Sequence, residues 1–237
     1  MLNKNPVKSI FSPAGLLAIF MFGLGVSGTV NAAGGVVECP VGEVNGLSLD
    51  SEFGAGTSDL TECLKRRSNV KIVMQINKPC RDSFVDGTAV KNNVANCSQG
   101  SNDPDFGRSY ALGNINNMIK DYEITYGMKP GRDYEIAAVV HSGGGYLLLK
   151  DESYDGTGTL VYGRNKFQGE VENLMDRGVK FYFCQNTTRS FIKNGTLPAA
   201  GVQGGATAQL IEGVEYVTAG VTAISDFQSQ GYRYVQP

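Results

Sequence analysis

The chain has 237 residues, 21 basic and 23 acidic side chains, a net charge of −2, 31 glycines and no tryptophan. No basic cluster stands out, which argues against nucleic acid or an anionic membrane as a partner. The length suits one domain with a core of its own, and the glycine content suits a loop-rich α/β chain.

Residues 1–32 read as a secretory signal peptide. Lys4 and Lys8 form a positive n-region, Ala14 to Val26 is an apolar run too short to span a bilayer, and Val30-Asn31-Ala32 offers small residues to a peptidase. Cleavage is expected after Ala32, with Ala33 or Gly34 next and an uncleaved anchor as the alternative. The removed piece holds two lysines and no acid, so the mature charge would be −4. The expected address is outside the cytoplasm, in a bacterial periplasm, with no membrane contact after cleavage.

Residues 33–66 are an N-terminal extension rich in Gly and Ser, and residues 67–237 are the domain proper. Val70 to Ile76 has the β-branched, apolar character of a buried strand. Residues 78–107, rich in Asn, Asp, Gly and Ser, read as an irregular insertion. Leu112, Ile115, Ile119, Tyr122 and Tyr126 recur at helical spacing and end near Gly127. A second strand, Tyr134 to Val140, runs into His141-Ser142-Gly143-Gly144-Gly145, and Leu147-Leu148-Leu149 starts a further short element. Asp151 to Arg164 reads as a polar loop. Phe167, Val171, Leu174 and Met175 mark a second helix, stopped at Gly178. A third strand, Val179 to Cys184, leads into one or two helical turns over Thr187 to Lys193. Val214 to Val217 is a fourth strand, Val221, Ile224 and Phe227 lie on a last helix, and Tyr232 to Val235 closes the chain as an edge strand. Alternating strands and helices predict a mostly parallel five- to six-stranded sheet with helices on both faces, a doubly wound three-layer α/β fold.

The five cysteines are unevenly placed. Cys39, Cys63, Cys80 and Cys97 cluster early, and Cys184 stands alone. In an oxidising compartment the first four should form two disulfides and leave Cys184 free. Three pairings are open. Cys39–Cys63 with Cys80–Cys97 is favoured because each closes a short loop, contributing about 3 kcal/mol on the chain-entropy model. Without a C-x-x-C motif, and with a single distant histidine, no zinc site is expected. No cofactor is expected either.

Ligands of such sheets bind beyond the C-terminal ends of the strands. Two stretches fall there. Cys184 precedes a helix for which Asn186 or Thr187 serves as N-cap, and free amides at that end would favour a thiolate able to accept and pass on sulfur. A buried structural cysteine is the competing reading. His141 is a candidate assisting residue, against the plainer reading of a strand-end histidine bonded to backbone. Gly143 and Gly144, with Asn186 and Thr187, are candidates for holding an anion or sulfur species. The glycines do not make a GxGxxG fingerprint, and nothing points to a nucleotide. The sequons at Asn186 and Asn194 are read as chance.

From residue 70 onward the chain resembles the DsrE/DsrF-like family of sulfur-relay proteins. The stretches that carry the resemblance are KIVMQIN, ALGNINNMIKDYE, YEIAAVVHSGGGYLLL, VKFYFCQNT and VEYVTAGVTAISDFQSQGYRYV. The resemblance implies a sulfurtransferase-like persulfide carrier whose working cysteine, at the end of the third strand, is Cys184. It also implies a homotrimer or homohexamer, with a sulfur donor or acceptor protein or a small sulfur compound as partner. Familiar members are cytoplasmic, so the export signal, the N-terminal extension and the 78–107 insertion are departures. A non-catalytic module that binds a small anion or serves assembly is the alternative. A thiol–disulfide oxidoreductase is disfavoured because no second redox cysteine stands near Cys184 in sequence.

Overall fold

Five short runs of apolar residues pair side by side in a computed structural model that describes residues 43–44, 46–60, 69–80, 84–85, 88–89, 97 and 109–237. The strands are β1 (Val70–Ile76), β2 (Tyr134–Val140), β3 (Val179–Cys184), β4 (Glu215–Val217) and β5 (Arg233–Val235). They lie in the order β4-β3-β2-β1-β5, every neighbouring pair parallel. Parallel pairing requires a crossover between strands, and helices supply it. These are α1 (Tyr110–Lys120), α2 (Gln168–Asp176), α3 (Gln185–Lys193) and α4 (Gly220–Ser229).

Side chains alternate between the two faces of the sheet. One face carries Ile72, Met74 and Ile76 of β1, Ile136, Ala138 and Val140 of β2, and Val179, Phe181 and Phe183 of β3. Against it pack Leu112, Ile115 and Ile119 of α1 and Val171 and Leu174 of α2, which form the main core. Phe181 and Phe183 are fully buried there, each contributing about 2–3 kcal/mol. The opposite face carries Val73, Ala137, Val139 and Tyr182, and Ala223, Ile224 and Phe227 of α4 pack on it. Both faces are therefore helical, as the alternation requires, but unequally so.

The predicted strands and helices appear at or within a few residues of their expected bounds, with three differences. α3 begins at Gln185, directly after β3 and with no linker, and Cys184 itself is the N-cap. Asn186 and Thr187 are thus first-turn residues, which corrects the N-cap expectation. Residues Ser142–Leu148 form a 3-10 helix, so the short element expected from Leu147 onward begins five residues earlier, at the glycine run. The polar loop at 151–164 contains a small antiparallel pair, Ser153–Tyr154 with Leu160–Val161.

Cys80 and Cys97 form a disulfide, as the spacing suggested. The signal peptide, the Cys39–Cys63 pairing and most of the 78–107 insertion lie outside the described residues. Among those described, no helix is long and apolar enough to cross a membrane.

Candidate functional site

Alternation along β3 points Cys184 to the same face as Tyr182, the side on which α4 lies. Alternation along β1 and β2 sends Gln75 and His141 there too, and the register of β5, with Tyr234 opposite Val73, adds Tyr234. Four polar residues from four strands thus reach one end of one face.

Cys184 is free and 4% exposed. Two helix N-termini converge on its sulfur. α3 starts at the next residue, and the first residue of α4, Gly220, donates its amide to Sγ at 3.3 Å. Burial pushes the thiol up. The backbone amides of Thr187 and Gly220, the Thr187 hydroxyl and the Asn186 amide outweigh that effect and hold it below its ordinary value. Helix N-termini favour negative charge because their first amides lack intrahelical partners. A thiolate here is stabilised by backbone dipoles.

The donors are themselves fixed. The Thr187 hydroxyl oxygen accepts the Ser142 amide at 2.9 Å, so its proton is free for the sulfur. Ser142 has φ +51°, a left-handed conformation that costs a residue with a β-carbon about 1 kcal/mol or more. Gly220 packs close to the imidazole: a β-carbon there would stand 3.1 Å from His141 Cδ2 and press on the ring.

His141 is engaged at both ring nitrogens. Gln75 Nε2 donates to Nε2 at 2.6 Å, and Nδ1 lies 3.0 Å from Ser142 Oγ. The Gln75 side chain also meets the Tyr234 hydroxyl, which reaches Gln236 Oε1 at 3.0 Å as well, so Gln75 links the imidazole to the C-terminal strand. Burial pushes the imidazole below its ordinary value, so it is neutral at pH 7. Neither nitrogen bonds Cys184, which departs from the direct acid–base role the strand ends suggested.

The glycine run also has a different use. The Gly144 amide donates to the carbonyls of Asn77 and His141, leaving it none to offer an anion. A β-carbon at Gly144 would meet Ile76 O at 2.5 Å, and one at Gly145 would meet the Phe183 ring at 2.7 Å. These glycines are close-packing positions, and of the two candidates only Gly143 borders the cleft beside the thiol. That cleft has a volume of about 800 Å³. Asn186 and Thr187 border it together with Tyr146, Phe191 and Val221. Among the described residues no lysine, arginine, aspartate or glutamate lines it. The Asn186 side chain is held by Arg189 at 2.6 Å, which leaves its backbone amide as its contribution to the sulfur.

Sequence reasoning found Cys184, His141, Asn186 and Thr187, which the structure brings to one cleft. It missed Ser142, Gly220, Gln75 and Tyr234. The left-handed Ser142 has no local signature, and the other three reach the site only through the order of the strands.

A solved structure of a protein of unknown function from Methanobacterium thermoautotrophicum is similar at 21% identity and a TM-score of 0.42, over 71% of this chain and 99% of that one. No curated protein matches the chain. The model of the DsrE/DsrF-like family, which is related to sulfur relay, matches residues 108–237. That stretch is more than half of the chain and contains Cys184, His141 and Gly220, though β1 precedes it; the chain belongs to the DsrE/DsrF-like family.

Proposed function

We propose that the protein is an exported sulfur carrier that holds sulfur as a persulfide on Cys184. The observation that carries this reading is the convergence of the N-termini of α3 and α4 on a free, buried thiol. Those amides favour the thiolate, which is the nucleophile. They favour the terminal anion of a persulfide for the same reason. In the loading step the thiolate attacks a sulfane sulfur of an inorganic polysulfide. A sulfur–sulfur bond forms at Cys184, one breaks in the donor, and the shortened polysulfide leaves with the electron pair, so no external oxidant is needed.

The signal-like residues 1–32 support export, and the resemblance to the family supports a homotrimer or homohexamer. Burial of Cys184 suits an oxidising compartment, because bulky thiols are kept from a sulfur that small species reach through the cleft.

Intact mass after incubation with polysulfide tests the carrier role. Wild type should gain about 32 Da per sulfur atom, and Cys184→Ser should gain none while remaining folded. Equal gains in both proteins, or none in wild type, would transfer the reading to a binding module of the same fold.

A further inference from the structure

The hydrogen bonds around His141 form a directed chain that ends at the thiol without His141 touching it. The Tyr234 hydroxyl bonds the Gln75 side-chain oxygen, the Gln75 nitrogen meets His141 Nε2, and His141 Nδ1 shares a hydrogen bond with Ser142 Oγ. Ser142, anchored by that last bond in its left-handed conformation, directs its amide at the Thr187 hydroxyl. Thr187 stands in the first turn of α3, which Cys184 caps, and borders the same cleft as the thiol. If the imidazole were removed, Ser142 would be released from a conformation that residues with a β-carbon seldom hold. Its amide would then no longer orient the Thr187 hydroxyl.

We propose that His141 is a positioning residue: through Ser142 it holds the Thr187 hydroxyl against the Cys184 sulfur. The role belongs to Nδ1 and not to Nε2, since only Nδ1 contacts Ser142. Sulfur passes through no atom of His141. This inference rests on Cys184 being the working thiol, but its test requires no sulfur transfer.

The test is the pH profile of Cys184 alkylation by iodoacetamide, with unfolding curves run in parallel. His141→Ala should raise the midpoint by about half a unit or more, leaving roughly threefold less thiolate at neutral pH. His141→Asn, whose amide nitrogen takes the Nδ1 position, should restore most of the shift. His141→Gln, which reaches the Nε2 position, should not. Thr187→Val should raise the midpoint by as much as His141→Ala, and the double variant by no more than either, because both remove the same hydrogen bond. If His141→Ala does not fold, Ser142→Ala keeps the ring, removes its acceptor and should give the same direction of shift. An unchanged midpoint, equal rescue by Asn and Gln, or additive shifts would overturn the proposal. A normal outcome here combined with no mass gain from polysulfide would instead refute the carrier role alone.

Discussion

The turns that follow β2 and β3 stand side by side at the same end of the sheet, yet their backbone amides do opposite things. After β2 the amides of His141 and Gly144 donate to the carbonyls of Ile76 and Asn77, which ties the turn to the end of β1. After β3 the amides of Asn186 and Thr187 open a helix and face a sulfur atom. The glycine-rich turn has its amides tied to carbonyls, and the turn without glycine has its amides beside the sulfur. Glycine content alone therefore does not identify an anion site; what matters is whether the amides already have carbonyl partners.

The largest effect expected from breaking this contrast is in Gly144→Ala. Its β-carbon would meet backbone atoms of Ile76, which cannot move aside without shifting β1. We expect a loss of about 3 kcal/mol, the upper end for overpacking, measured by urea unfolding. A loss near zero would show that the turn after β2 is not the packed one.

A second, intermediate effect sharpens the electrostatic side. The folded thiol ionises at lower pH than the unfolded one, whose value is about 8.5. Ionisation therefore adds stability that is fully present above the unfolded value and is lost as pH falls through the folded one. Wild type should gain stability relative to Cys184→Ser as pH rises toward the unfolded thiol value of about 8.5, and level off above it, read from paired urea titrations. A difference independent of pH would remove the role assigned to the amides.

The smallest effect concerns salt. The cleft offers backbone dipoles and no charged side chain among the described residues, so the rate of polysulfide loading should change by less than about twofold between 50 mM and 500 mM salt. A steep decline would point to lysine or arginine steering from elsewhere.

The strands that frame this contrast were legible in the sequence, while the different use of the two turns was not, since Gly143 and Gly144 were expected to hold an anion alongside Asn186 and Thr187. The β2 and β3 strands and the helix carrying Leu112, Ile115 and Ile119 could be read because their periodicity is local. The start of α3 was placed late because Asn186 and Thr187 are residues that favour N-caps. In the fold, Thr187 turns instead to Ser142 and the sulfur. Gly220 donates to a sulfur 36 residues earlier, and Tyr234 bonds a residue 159 positions away. Neither proximity leaves a trace in local pattern, because β5 comes to lie beside β1 only once the sheet is assembled.

That same placement governs when reactivity appears. As the chain is made or threaded out, Cys184 emerges before the residues that supply the Gly220 amide and the Tyr234 hydroxyl. β5 docks at the far edge of the sheet, and α4 must cross the open face to bring it there. Until that crossing is complete, the thiol lacks one of its helix N-termini, and the network that ends at Thr187 lacks its anchor. The surroundings of Cys184 are therefore complete only once the C-terminal segment has docked, and a chain cut short before α4 would carry the thiol without the Gly220 amide.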